Sequence, residues 1–154
     1  MYPGPMKKVT LDQEYPVCSI ARSLEIVGER WTFLILREAL SGSTRFGQFN
    51  DALEISTDLL SNRLATLVKA GIMNKRPYHE PGHRIRYEYH LTPAGEELRI
   101  VLGALQQWGD QHCAPAAGPS AQRRSRSTGA QLEVAFVDEA GRAVALDDVT
   151  FVAV

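Results

Sequence analysis

Four short polar side chains, Thr57, Asp58, Ser61 and Asn62, share one helical face opposite Leu60, Leu64 and Leu67. Hydroxyl, carboxylate and amide groups in that arrangement offer hydrogen-bond donors and acceptors of short reach. An asparagine can donate to and accept from one adenine edge, a serine can serve either base type, and a carboxylate can accept from a cytosine amine. Ser56, just ahead of them, is a candidate N-cap. The following stretch is basic. From Leu60 to Thr92 the cations Arg63, Lys69, Lys75, Arg76, Arg84 and Arg86 face only Glu80 and Glu88, six against two, with His79, His83 and His90 among them. Cations beside base-reading groups are what contact with phosphate requires. Arg63 lies among leucines and suits either a phosphate or an ion pair inside the fold. Arg45 and Ser56 complete the candidate DNA-contacting set together with Lys75, Arg76, His83, Arg84 and Arg86.

Other reactive chemistry is sparse. No nucleophile elbow, phosphate-binding glycine loop or metal-ligand array is present, so neither an enzyme nor a cofactor is expected. The histidines share no ligand spacing. Cys18 and Cys113 are too few for a disulfide framework or a four-cysteine zinc site. Cys18 falls in the first turn expected of a helix, where the dipole favours thiolate, and so is a candidate sensor thiol. A small buried side chain is the alternative.

The positioning elements follow from periodicity. Apolar residues at helical spacing predict helices over Val17–Val27, Arg30–Leu40 and Arg45–Leu53, the last capped by Thr44. A fourth starts after Ser56 and closes at Gly71. The period then changes to two. Ile72–His79 and Arg84–Leu91 read as strands around a turn at Glu80-Pro81-Gly82-His83. Thr92-Pro93 begins a long helix to about His112, with Leu98, Leu102, Leu105 and Trp108 on its apolar stripe. These four are the candidate dimer interface. Arg123, Arg124 and Arg126 lie in a Pro-, Gly- and Ser-containing stretch that reads as a solvated tether. Two further strands are expected over Gln131–Val137 and Ala143–Val154, with Leu132, Val134 and Phe136 in one apolar row and Val149, Phe151 and Ala153 in another.

Four regions follow: an arm at 1–16, a domain at 17–113, a linker at 114–130 and an acidic extension at 131–154. The extension carries Glu133, Asp138, Glu139, Asp147 and Asp148 against Arg142, opposite in sign to the basic middle, although the 154-residue chain has a formal charge of only -1. The start lacks a basic-then-apolar leader pattern, and no run approaches ~20 apolar residues, so a cytoplasmic protein with no membrane partner is expected.

The order of elements coincides with a set of ordered motifs. Val17-Cys18, the run from Ser23 to Glu38, Arg45-Phe46-Gly47-Gln48-Phe49, Ile55-Ser56, Leu60-Ser61-Asn62-Arg63-Leu64 and Gly71-Ile72 resemble the HxlR-type regulators. So do Tyr87-Glu88-Tyr89, Leu91-Thr92-Pro93-Ala94-Gly95 and Trp108-Gly109. The resemblance runs over residues 17–112. Asp58 departs from it, since the family often has a lysine there. It implies a homodimer joined through the first and last helices, a palindromic double-stranded DNA operator, and commonly a response to electrophiles, oxidants or a small-molecule effector. The resemblance further implies that a cysteine placed like Cys18 can be reactive in some members.

The fold class expected is therefore α+β, mainly α: a winged helix-turn-helix with a two-stranded wing, a long C-terminal dimerisation helix and a small C-terminal β extension. The function expected is sequence-specific transcriptional regulation, as a repressor that blocks polymerase. A non-specific architectural DNA binder and a protein-interaction module that keeps the fold are the alternatives. Polar rather than cationic groups at Thr57, Asp58, Ser61 and Asn62 speak against the first. The near-neutral whole chain keeps the second in view.

Overall fold

A computed structural model describes residues 18–119 and 121–152 of the chain. The expected N-terminal arm, the helix start at Val17 and the row position Ala153 lie outside those residues. The chain divides into two compact units between Leu102 and Gly103, inside its longest helix.

The first unit contains α1 (Ser19–Val27), α2 (Arg30–Leu40), α3 (Phe46–Leu53) and α4 (Thr57–Lys69). A hairpin of β1 (Met73–Tyr78) and β2 (Arg86–Leu91) follows, then α5 (Pro93–His112), which crosses into the second unit. The core is drawn from every helix up to α4, from the turn between α3 and α4 and from the base of β1: Val27, Ile35, Leu36, Phe49, Leu53, Ile55, Leu60, Leu64, Leu67 and Met73. Complete burial of one such aliphatic side chain stabilises by about 1.5–3 kcal/mol. The α2 helix is less enclosed than its apolar run suggests. Ile35 and Leu36 are buried, whereas Trp31, Phe33 and Leu34 pack half-buried against the core.

The caps set the α4–wing geometry. Gly71 has φ +73, the left-handed conformation that suits a residue without a Cβ. From there the Gly71 amide donates to Val68 O (3.1 Å) and the Ile72 amide to Leu67 O (2.9 Å). That pair of bonds ends α4 as a Schellman motif and turns the chain directly into β1. Thr92 caps α5, its hydroxyl accepting from the Gly95 amide at 3.2 Å and donating to Gly71 O at 2.6 Å. Gly95 is buried, and a Cβ there would collide with Ile72 O, so α5 starts tightly against the end of α4.

Two local expectations are corrected. Thr44 does not cap α3: Arg45 occupies the N-cap position, and Gln48 Oε1 accepts from the Thr44 and Arg45 amides, both at 2.9 Å. The wing strands are also shorter than their alternating pattern. Arg84 and Ile85 precede β2, and Ile85 is exposed because nothing in the core extends beneath the tip. The turn itself is as expected, with the His83 amide donating to Glu80 O at 3.0 Å and φ +82 at Gly82. Proline then glycine at its two centre positions suits a type II turn.

The second unit takes residues 103–112 of α5 and the chain that follows. The stretch read as a tether is attached along the helix. Gln106 Nε2 donates to Ala121 O (3.1 Å), and Arg123 pairs with Asp110 (3.2 Å). Arg124 donates to Gly129 O and Gln122 Oε1. Two long strands do not form. The extension has β3 (Phe136–Val137) paired antiparallel with β4 (Ala143–Val144), then one 3-10 turn at Leu146–Asp148. Of the expected apolar rows, Val134 and Val149 are half-buried, while Leu132, Phe136 and Phe151 are exposed.

The Gln107 side chain replaces a sheet neighbour for Val134. Its Nε2 donates to Val134 O and its Oε1 accepts from the Val134 amide, both at 2.8 Å. Asp138 organises the hairpin turn by accepting from the Ala140 and Arg142 amides and from Arg142 Nε, each at 2.9 Å. The Arg142 amide and side chain hold the Asp138 carboxyl below its ordinary range.

Candidate nucleic-acid interface

The α4 helix presents the polar face that its spacing implies. Leu60, Leu64 and Leu67 are buried, whereas Thr57, Asp58, Ser61 and Asn62 are exposed. Ser56 is the exposed N-cap residue, though its side chain makes no capping bond. Asp58 sits in the first turn, where the positive end of the helix dipole favours a carboxylate. None of Thr57, Ser61 or Asn62 spends its side-chain polar atoms on another described residue. The one local bond here uses backbone, Thr66 Oγ1 donating to Asn62 O. The face is therefore free to exchange hydrogen bonds with a groove.

The cations separate into two groups. Lys69, Lys75, Arg76, Arg84 and Arg86 are exposed and form no ion pair with another described residue. Lys75 lies with Nζ 4.2 Å from the centre of the Tyr87 ring, which steadies its direction without neutralising it. His83 is exposed in the tip turn. The other group is occupied inside the fold. Arg63 is half-buried, 3.7 Å from Glu29, the ion-pair arrangement left open by its sequence position. Arg45 pairs with Glu80 at 3.0 Å and with Glu88 at 3.1 Å.

The Arg45 pairings change the electrostatics of the wing. Both carboxylates in the Leu60–Thr92 stretch are turned onto one guanidinium, so Lys75, Arg76, Arg84 and Arg86 act on solvent with little opposing charge. Bonds donated by His90 Nε2 (3.0 Å) and by Arg45 hold the Glu88 carboxyl below its ordinary range. The Arg45 pKa is raised in turn, chiefly by Glu88. A cleft of about 400 Å³ lies beside this cluster, lined by Phe46, Gly47, Tyr78, Arg86, Tyr87 and Tyr89. No spacing signal pointed to the pairing of Arg45 with Glu80 and Glu88. The sole hint was two carboxylates isolated in a basic run.

An outer reading helix, a helix bracing it and a basic hairpin beyond form a winged helix-turn-helix. The family model for the HxlR-like helix-turn-helix matches residues 26–117. The chain belongs to the HxlR-like helix-turn-helix family. It is an HxlR-type DNA-binding transcriptional regulator. The uncharacterized HTH-type transcriptional regulator Rv3095 of Mycobacterium tuberculosis is 44% identical over 111 residues, covering 72% of this chain and 69% of that one. YodB of Bacillus subtilis, another HTH-type transcriptional regulator, is 30% identical over 94 residues, 60% of this chain and 82% of that one. Among solved structures, PA1607 superposes with a TM-score of 0.77 at 30% identity, covering 88% of this chain and 94% of its own. That span is too long to leave out the whole region beyond residue 117.

The remaining candidates of this HxlR-type regulator fall in different settings. Cys18 is the half-buried N-cap residue of α1 rather than part of its first turn, and Cys113 is exposed. Leu98 and Leu102 pack half-buried against the core, whereas Leu105 and Trp108 are exposed. Among the described residues no group of three His, Cys, Asp or Glu side chains is placed to hold a metal, and no helix is long and apolar enough to cross a membrane.

Proposed function

We propose that this HxlR-type regulator is a homodimeric repressor. In this reading it binds a palindromic operator through the outer face of α4 and through Arg84 and Arg86 of the wing. The observation that carries the reading is the pairing of a free polar α4 face with wing cations whose neighbouring carboxylates are engaged by Arg45. Polar groups supply base discrimination and the cations supply phosphate attraction. Two copies give two half-sites ~10 bp apart, which one small domain cannot read alone. The exposed Ile20 and Leu24 of α1, and Leu105 and Trp108 of α5, are apolar surface of the kind a subunit interface removes from water.

Response to an oxidant or electrophile through Cys18, or to a small-molecule effector, belongs to the same proposal. The diamide-treated form of YodB is among the similar solved structures, with a TM-score of 0.51 at 30% identity, covering 64% of this chain and 98% of its own. The wing part of the reading is tested by Arg84→Ala and Arg86→Ala. Each variant weakens binding to operator and random DNA alike and lowers the salt dependence by roughly one unit per lost phosphate contact. Wild-type affinity with a wild-type slope would make that side chain a solvated face only.

A further inference from the structure

Arg45 ties the start of α3 to three residues of the sequence-distant hairpin, Tyr78, Glu80 and Glu88. It stands at the N-cap of α3, the first helix of the helix-turn-helix. Its Nε donates to Glu88 Oε1 on β2 at 3.1 Å, and its Nη1 donates to Glu80 Oε1 at the tip turn at 3.0 Å. Its guanidinium carbon lies 4.4 Å from the ring centre of Tyr78, the last residue of β1. The backbone repeats the connection: Arg45 bridges Glu88 as a one-residue antiparallel strand, and the Tyr89 amide donates to Thr44 O at 2.7 Å. The second oxygen of Glu88 accepts from His90 Nε2 at 3.0 Å.

A two-stranded hairpin is marginal in water by itself. Only the base of this one is buried, at Met73, and its outer half has no core beneath it. Something else must fix the direction of the wing. We propose that Arg45 is a positioning residue for DNA binding, which locks the wing to α3 through Glu80 and Glu88 and does not itself contact DNA. The planar guanidinium offers a rigid fork of donors and a flat face for stacking together, a geometry that an ammonium does not reproduce. The same contact screens the only two anions between Leu60 and Thr92 from approaching phosphates.

This inference rests on the reading of the wing as a DNA contact, and two measurements keep the two apart. The first is hydrogen exchange of the free protein, which needs no DNA. Glu88→Gln and Arg45→Lys should speed exchange of the Tyr89 amide and its wing neighbours, with α2 and α4 amides unchanged. Unchanged wing exchange in both variants overturns the brace, whatever DNA does.

The second is operator affinity, where the competing roles predict opposite signs. If Arg45 touched phosphate directly, Glu88→Gln would remove a repulsive charge, release the guanidinium and strengthen binding. Arg45→Lys would then keep most of the affinity. The brace predicts that Glu88→Gln weakens binding about tenfold, within the range of coupling in one ion-pair network, and leaves the salt slope unchanged. It also predicts that Arg45→Lys fails to rescue, and that Arg45→Ala added to Glu88→Gln costs little more. Tighter binding by Glu88→Gln, or additive losses in the double variant, would overturn the proposal. Affinity unmoved by every variant while wing exchange accelerates would overturn its DNA-binding part.

Discussion

In the proposed reading of DNA, base discrimination rests chiefly on Asn62. It lies in the second turn of α4, exposed, with its side-chain amide unspent on described neighbours. Asn62→Ala should weaken the operator complex by about 1–3 kcal/mol and leave random-sequence affinity almost unchanged. Competition titrations on both DNAs decide it, since equal losses would place Asn62 on the backbone. Glu88 gives a pH signature. Its folded pKa is held low, first by the His90 N–H and then by Arg45, so its contribution to the wing is complete above the ordinary carboxylate range. The contribution is lost as pH falls through the depressed folded value. Wing amide protection should therefore hold from neutral pH through mild acid and fall only below that range, and Glu88→Gln should lack this acid step. A loss near pH 6 in the wild type would contradict the assignment.

The helices are the elements most legible in the sequence, because apolar spacing and end signals agree there. Arg30–Leu40 has the expected bounds, and Thr92-Pro93 opens α5 as its residue types require. The wing was legible in order but not in extent. Alternation continues through Ile85, yet hydrogen-bonded pairing stops at Tyr78 and Arg86, because periodicity cannot tell whether a core lies beneath a strand. The bond from Arg45 to Glu88 spans 43 positions, and no local pattern encodes a contact of that range. The extension shows the same limit. Its alternation suggested long strands, but Val134 finds its backbone partner in the Gln107 side chain. Gln107→Ala should remove two hydrogen bonds of roughly 0.5–1.5 kcal/mol each. The Val134 amide should then lose exchange protection while the Asp138–Arg142 turn keeps its own. Retained protection at Val134 would mean that the apolar contacts suffice.

At the scale of the whole molecule, charge is organised more sharply than a net of -1 conveys. The basic stretch carries unpaired cations on the wing, while the acidic extension belongs to the other compact unit. Around α5, Gly103, Gln106, Gln107 and Asp110 face the extension, with Val134 Cγ2 3.2 Å from where a Cβ on Gly103 would stand. Leu105 and Trp108 lie on the opposite side by helical spacing and stay exposed, so the described part of the extension leaves that apolar surface uncovered. The twofold dimer that we propose would cover this apolar surface and bring two α4 faces to two half-sites. The most direct measurement is a titration of the full chain onto the DNA upstream of its own gene, with random duplex as competitor and stoichiometry read by light scattering. The predicted result is two chains per operator duplex, with a preference over random DNA of about 10³-fold or more. One chain per duplex, or equal affinity for both DNAs, would contradict it.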